Sequence, residues 1–195
     1  ITHAVQNTKT EAGIILEFRT ESILIENNII NNKSVGIIYT TRGVGNHGGY
    51  PAPGGQPAGG YSYLVDNVIR NNLFSNMYAG TGVASRFGIG VISEGTDDPQ
   101  ISNMQIYNNT IVAKPGDPSW VGLDFSSQSN GNATGMHIRN NIVTGFSGPW
   151  IQGTSGTGNT NINGMTLTHN DLFNNGNGNA PSWPGGNPAN YTFNN

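Results

Sequence analysis

Few residues in this chain have the types and placement that catalysis requires. Arg42, with Arg19 aligned to it and His47 close by, offers cations and a base. A β-elimination from a uronate needs that set: a group to take the proton beside the carboxylate and a cation to neutralise the carboxylate itself. Glu94 and Asp124 supply two carboxyl groups, as glycoside hydrolysis needs; in an inverting enzyme they stand ~6.5–9.5 Å apart, one as acid and one as base. Tyr50 and Trp120 present aromatic faces on which a sugar ring can stack. Asp97 with Asp98 is an alternative carboxyl pair, and acidic residues could hold calcium through oxygen ligands, but no clear site for it stands out. No metal ligand is assigned, and the cofactor is unknown. Each residue also has a plainer reading. Arg19, Arg42 and Glu94 would serve as a surface ion-pair ladder worth ~0–1 kcal/mol per pair. His47 would be a loop residue, Asp97-Asp98 before Pro99 a turn signal, and Trp120 would pack beneath a loop.

The elements that must hold these side chains are visible as a repeat. An apolar residue, a variable one, an Asn pair and a short apolar pair recur as Ile25-Glu26-Asn27-Asn28-Ile29-Ile30 and Ile69-Arg70-Asn71-Asn72-Leu73-Phe74. They return as Ile106-Tyr107-Asn108-Asn109-Thr110-Ile111, Ile138-Arg139-Asn140-Asn141-Ile142-Val143 and Leu167-Thr168-His169-Asn170-Asp171-Leu172. Successive copies are 44, 37, 32 and 29 residues apart. A fixed motif at a shrinking period means loops of different length set into a constant coil. A Gly-led strand follows each motif: Gly13-Ile14, Gly36-Ile37, Gly88-Ile89 and Gly122-Leu123, with a degenerate copy at Trp150-Ile151. Each coil is thus expected to hold a strand ending in Asn-Asn, a short strand after the bend and the Gly-led strand. Period-2 alternation sends Ile23, Ile25 and Ile29 inward. The Asn pair turns the corner, since Asn tolerates φ > 0, and successive Asn residues stack as a hydrogen-bonded ladder.

These Ile-x-Asn-Asn-x-Ile units resemble the repeats of the right-handed parallel β-helix proteins of the pectate-lyase-like superfamily. The resemblance runs from about Gly13 to about Phe173. It implies an all-β, single-stranded solenoid of about five coils. Activity does not follow from it, because the superfamily holds lyases, hydrolases, epimerases, esterases, tailspikes and adhesins. The polygalacturonase motifs do not fit: Asn46-His47-Gly48 precedes Asp97-Asp98, the reverse of their order. The Asp-Pro-His-Glu signature of the epimerases is absent.

In such a helix the outer face of one sheet forms a groove. Alignment of the Gly-led strands puts Arg19, Arg42, Glu94 and Gln128 in one column at the strand ends, with Asp124 outward and earlier in its strand. The longest insertion, residues 42–62, starts at that column and carries His47, Tyr50 and Tyr61; loops this long inside a compact domain are usually functional or disordered. The tail at 174–195 reads as irregular. The whole of 1–195 is expected to be one β-helix domain, a piece of a longer helix with further domains of the same polypeptide beyond it, because Asn194-Asn195 ends inside what looks like another repeat.

Composition narrows the classes. Only 10% of residues are charged, against ~25% in an ordinary domain; 29 Gly and abundant Asn, Ser and Thr supply turns instead. A net charge of −3 without a basic run argues against nucleic acid. No apolar run nears the ~20 residues of a membrane span. Cysteine is absent, so disulfides do not hold the fold. Scarce Lys with plentiful Asn and Thr leans towards an extracellular or cell-surface place, and Asn32, Asn108, Asn132 and Asn190 lie in glycosylation sequons. The expected partner is a polysaccharide or cell-surface glycan, and the expected function is a polysaccharide lyase or glycoside hydrolase. The alternative is a non-catalytic structural or adhesive β-helix, since each coil of a solenoid needs only its neighbours.

Overall fold

The computed structural model describes residues 12–17, 20–42, 63–79, 86–94, 100–125, 132–153, 161–163, 165–176, 181 and 192–194. Among them there is no helix, and every strand pairs in parallel with a strand of an adjacent coil. Four sheets result. The first stacks Ala12–Glu17, Val35–Arg42, Phe87–Glu94, Val121–Phe125 and Ile151–Gly153. The second stacks Thr20–Glu21, Tyr63–Val65, Gln100–Ser102, Asn132–Thr134 and Asn161–Asn163. Leu24–Glu26, Val68–Arg70, Gln105–Tyr107, His137–Arg139, Thr166–Thr168 and Thr192–Asn194 form the third. Ile29–Asn31, Leu73–Met77, Thr110–Ala113, Ile142–Thr144 and Asp171–Phe173 form the fourth. The chain visits the sheets in that order and repeats the circuit, which makes the protein a parallel β-helix of about five coils.

The circuit has four strands, not the three expected. The strand read as ending in Asn-Asn is broken five residues upstream of that pair by a second corner, where Ser22, Asp66, Asn103 and Gly135 take φ of 56°, 54°, 52° and 62°. The residue after this corner turns inward: Asn67, Met104 and Met136 are fully buried, as is Met165. At the Asn-Asn corner the first residue makes the turn. Asn27, Asn71, Asn108, Asn140 and His169 have φ between 54° and 57°, a conformation that costs most residues energy but that Asn and His adopt more readily.

A residue in that conformation shifts the in-out alternation by one position. Ile29 is therefore not in the core, contrary to the simple period-2 count: it is 74% exposed, whereas Ile30 is 7% exposed. Leu73 and Ile142 occupy the same outward column and are partly exposed as well. Inward residues of the second to fourth sheets, such as Ile25, Ile69, Ile106, Phe74 and Ile111, meet Ile37, Ile89 and Leu123 of the first in one continuous apolar core.

The second Asn of each pair forms the ladder. Asn72, Asn109 and Asn141 are all but inaccessible to solvent. The Oδ1 of Asn109 accepts from both the backbone N (3.1 Å) and the Nδ2 (3.0 Å) of Asn72. Its Nδ2 donates to Asn141 Oδ1, to Ile69 O and to Tyr107 O. The same pattern links Asn28 to Asn72 and Asn141 to Asn170, so five rungs run the length of the stack. These bonds satisfy buried backbone groups that the corner removes from the sheet ladders.

The Gly that leads each strand of the first sheet is required by a close approach. A Cβ on Gly13, Gly36, Gly88 or Gly122 would strike the side chain of Ile30, Phe74, Ile111 or Val143, the inward residue of the next fourth-sheet strand along the chain, as well as backbone of the following coil. At the fifth copy the position is Trp150, fully buried, and among the described residues the first sheet has no strand beyond Ile151–Gly153. Within this sheet Ala12, Val35, Ile38, Phe87 and Val121 form a second, smaller buried cluster, separate from the main core. The Phe87 ring folds over Gly90, where a Cβ would clash with it.

Candidate functional site

The register of the first sheet assigns positions to the chemically capable residues. Ile14, Ile37, Ile89 and Leu123 are aligned in successive coils, as the Gly-led alignment requires. Arg42 and Glu94 are direct partners at the C-terminal end of their strands, on coils ~4.8 Å apart. Asp124 pairs with Gly90 and Gln152. Glu94 therefore lies four residues beyond the level of Asp124, roughly 13 Å of strand, and the backbone does not set these two carboxylates opposite one another. Asp124 is half-buried. Arg19, His47 and Tyr50 lie outside the described residues, as do Asp97, Asp98 and most of the 42–62 insertion. Among the described residues no three His, Asp or Glu side chains come together as a metal-binding group.

Trp120 stands at the opposite end of the sheet, just before Val121, whose strand partner is Phe87. It is 52% exposed, so it is not packed beneath a described element. Its position is nonetheless fixed. Gly148 N donates to Trp120 O at 2.7 Å and Ser147 N to Ser119 O at 3.1 Å. A Cβ on Gly148 would lie 2.9 Å from Cε2 and 3.1 Å from Cδ2 of the indole. Those two atoms form the bond shared by the fused rings, and a neighbour approaches both equally only from the ring's face. One face of Trp120 thus rests on the backbone of Gly148, which leaves the other for solvent.

The loops beside Trp120 are tied to each other across coils. Lys114 N and Ser119 N both donate to Met77 O, at 2.8 and 3.0 Å, and Ala79 N donates to Asp117 O at 3.1 Å. Tyr78 forms an isolated bridge with Pro118, and Lys114 Nζ lies 5.6 Å from the centroid of the Tyr78 ring. Arg86 comes to this end of the sheet as well, its carbonyl accepting from Val121 N at 3.3 Å. The result is an aromatic corner with a cation beside it, preorganised by backbone hydrogen bonds.

A second organised surface lies on the outer face of the third sheet, where Glu26, Arg70, Tyr107, Arg139 and Thr168 are successive partners in one column. Glu26 Oε2 accepts from Arg70 Nε and is 2.8 Å from Arg70 Nη2. Arg70 Nη1 donates to Tyr107 Oη at 3.0 Å. Arg139 places its Cζ 5.1 Å from the Tyr107 ring centroid. The hydrogen bonds to Tyr107 and then to Glu26, with the charge of Glu26, raise the pKa of the Arg70 guanidinium above its ordinary value. This column had a signal in the sequence, as the variable position just before each Asn pair.

No protein-family model, curated protein or solved structure matches the chain. The class that the coordinates define is therefore one of architecture: a parallel β-helix with a buried Asn ladder.

Proposed function

We propose that this is an extracellular carbohydrate-engaging β-helix. The observation that carries the reading is Trp120: a half-exposed indole whose one face is seated on Gly148, at the entry end of a sheet whose exit end pairs Arg42 with Glu94. A rigid aromatic face held by backbone is what a sugar ring stacks on, and its ordering is achieved before the ligand arrives. Catalysis, if this protein performs it, would use Arg42 and His47 as cation and base of a lyase, or Glu94 and Asp124 as carboxyl groups of a hydrolase acting at separate subsites.

The test is product release from acidic and neutral polysaccharides, with and without calcium, measured as reducing ends and as unsaturated-uronate absorbance. Absorbance with reducing ends that Arg42→Ala and His47→Ala both abolish supports a lyase. Reducing ends alone point to the carboxylates. Silence across the panel removes the catalytic reading.

A non-catalytic stalk is the second reading, and one observation favours it. The ladder from Asn28 to Asn170 is unbroken across five coils, the construction of a rigid spacer. Glycan binding at Trp120 without turnover would unite both readings in an adhesive β-helix.

A further inference from the structure

The column on the third sheet is saturated at one end and open at the other. Arg70 spends its donors on Glu26 and Tyr107, so its charge is neutralised within the column. The Tyr107 oxygen accepts from Arg70, which leaves the hydroxyl proton of Tyr107 to be donated outward, and among the described residues it has no acceptor. Arg139, one coil further, lies over the Tyr107 ring; among the described residues it forms no ion pair. A phenol proton polarised by an arginine and an unpaired guanidinium fork thus stand on adjacent coils of a flat sheet. Both are donors, both lack an acceptor among the described residues, and both are set by a register that pairs Tyr107 directly with Arg139. The next coil adds the hydroxyl-bearing Thr168 at the same column position and Thr166 beside it.

We propose that Tyr107 and Arg139 form an anion subsite on this second face, one that takes the carboxylate of an acidic sugar in a glycan. The chemistry is that of a planar, delocalised anion. The guanidinium fork offers two parallel donors to it, and the Tyr107 hydroxyl supplies a third from the neighbouring coil. Arg70 strengthens that third donor by hydrogen-bonding to its oxygen. Tyr107 also holds the guanidinium in place through its ring face. The choice of a sugar carboxylate rests on the carbohydrate-engaging reading above. The subsite itself does not involve Trp120, which lies at the entry to the first sheet.

The probe is an acidic oligosaccharide containing glucuronate, titrated by calorimetry at low salt beside its carboxyl-reduced counterpart. Arginine Nε–H and tyrosine ring resonances are followed by NMR. The acidic probe should shift the Arg139 and Tyr107 signals, and the reduced probe should not. Arg139→Ala should weaken the acidic probe about tenfold or more, the loss expected for one charge-assisted hydrogen-bonded pair. Arg139→Lys should restore only part, since it keeps the charge and loses the fork. Tyr107→Phe keeps the ring under Arg139 and should cost several-fold, since it removes the hydroxyl donor together with the acceptor of Arg70 Nη1. Both side chains face outward, so unchanged urea midpoints will show that the coils remain stacked. The proposal is overturned if the acidic probe binds equally to wild type and Arg139→Ala, if the reduced probe binds as tightly as the acidic one, or if wild type does not bind the acidic probe. Loss of glycan binding in Trp120→Ala but not in Arg139→Ala would leave the carbohydrate reading standing and remove the anion subsite.

Discussion

Asn109→Ala should be among the most damaging polar substitutions in the molecule. The side chain makes five hydrogen bonds: two accepted from Asn72 and three donated, to Ile69 O, Tyr107 O and Asn141 Oδ1. Alanine keeps none of them. It leaves the backbone N–H of Asn72, a residue 3% exposed, without its acceptor, and two carbonyls and an amide oxygen short of a donor. A buried group left unpaired costs about 1–3 kcal/mol. Allowing for carbonyls that retain a strand partner, the substitution should cost about 3–5 kcal/mol. Asn28 is the first rung among the described residues, is only half-buried and receives nothing there from an earlier one, so Asn28→Ala should cost about a third as much, near 1–2 kcal/mol. Asn109→Asp retains the acceptor and loses the donors, so it separates the two halves of the interaction. Urea denaturation followed by circular dichroism gives the free energies, and an Asn72/Asn109 double-mutant cycle gives the coupling, expected near 1–3 kcal/mol. A cost below about 1 kcal/mol for Asn109→Ala at an unchanged m-value would refute the claim that the ladder stabilises the corner.

Gly36→Ala introduces a Cβ that meets the Phe74 ring and the Gly88 carbonyl; thermal denaturation should show a loss of about 1–3 kcal/mol, the usual cost of overpacking. Tyr39→Phe should do the opposite. The Tyr39 hydroxyl is buried in the core with no partner among the described residues, so its removal should stabilise by about 1 kcal/mol in the same assay. The pH response follows in sign. Burial pushes the Tyr39 phenol far above its ordinary value. An acid whose folded pKa is raised contributes stability that is present below the unfolded pKa, near 10, and declines above it by about 1.4 kcal/mol per pH unit. Urea titrations at pH 9 to 11 should show that slope in wild type and a reduced slope in Tyr39→Phe.

The legible part of the fold was carried by residues that recur at a fixed place. Asn27 and Asn28 state the corner and the ladder together, since one residue type serves a left-handed backbone and the other position a buried amide. Gly13, Gly36, Gly88 and Gly122 state the register, because each is excluded from bearing a Cβ by the following coil. That register also made the Arg42–Glu94 pairing visible. The second corner was harder to see because it accepts Ser22, Asp66, Asn103 and Gly135 alike; only their constant offset from the Asn pair betrays them. Ile29 was misplaced because period-2 counting runs straight through a residue with φ > 0, and the phase changes there. The site was less legible for a different reason. Trp120 as a platform depends on Gly148, which lies in the next coil and carries no chemistry of its own. The Arg70–Tyr107–Arg139 column depends on residues that vary from one motif copy to the next, and variation at a repeat position reads as tolerance until the strands are stacked.

The carbohydrate-engaging reading is tested most directly by titrating a panel of neutral and acidic glycans against wild type and Trp120→Ala. Trp120 is half-exposed and Trp150 is buried, so the substitution should leave the core and the urea midpoint nearly unchanged while removing the stacking face. The account predicts saturable binding of at least one glycan by wild type and a loss of about tenfold or more in Trp120→Ala, the scale of a stacked aromatic contact. Equal binding by the two proteins, or no binding by wild type to any member of the panel, would contradict it.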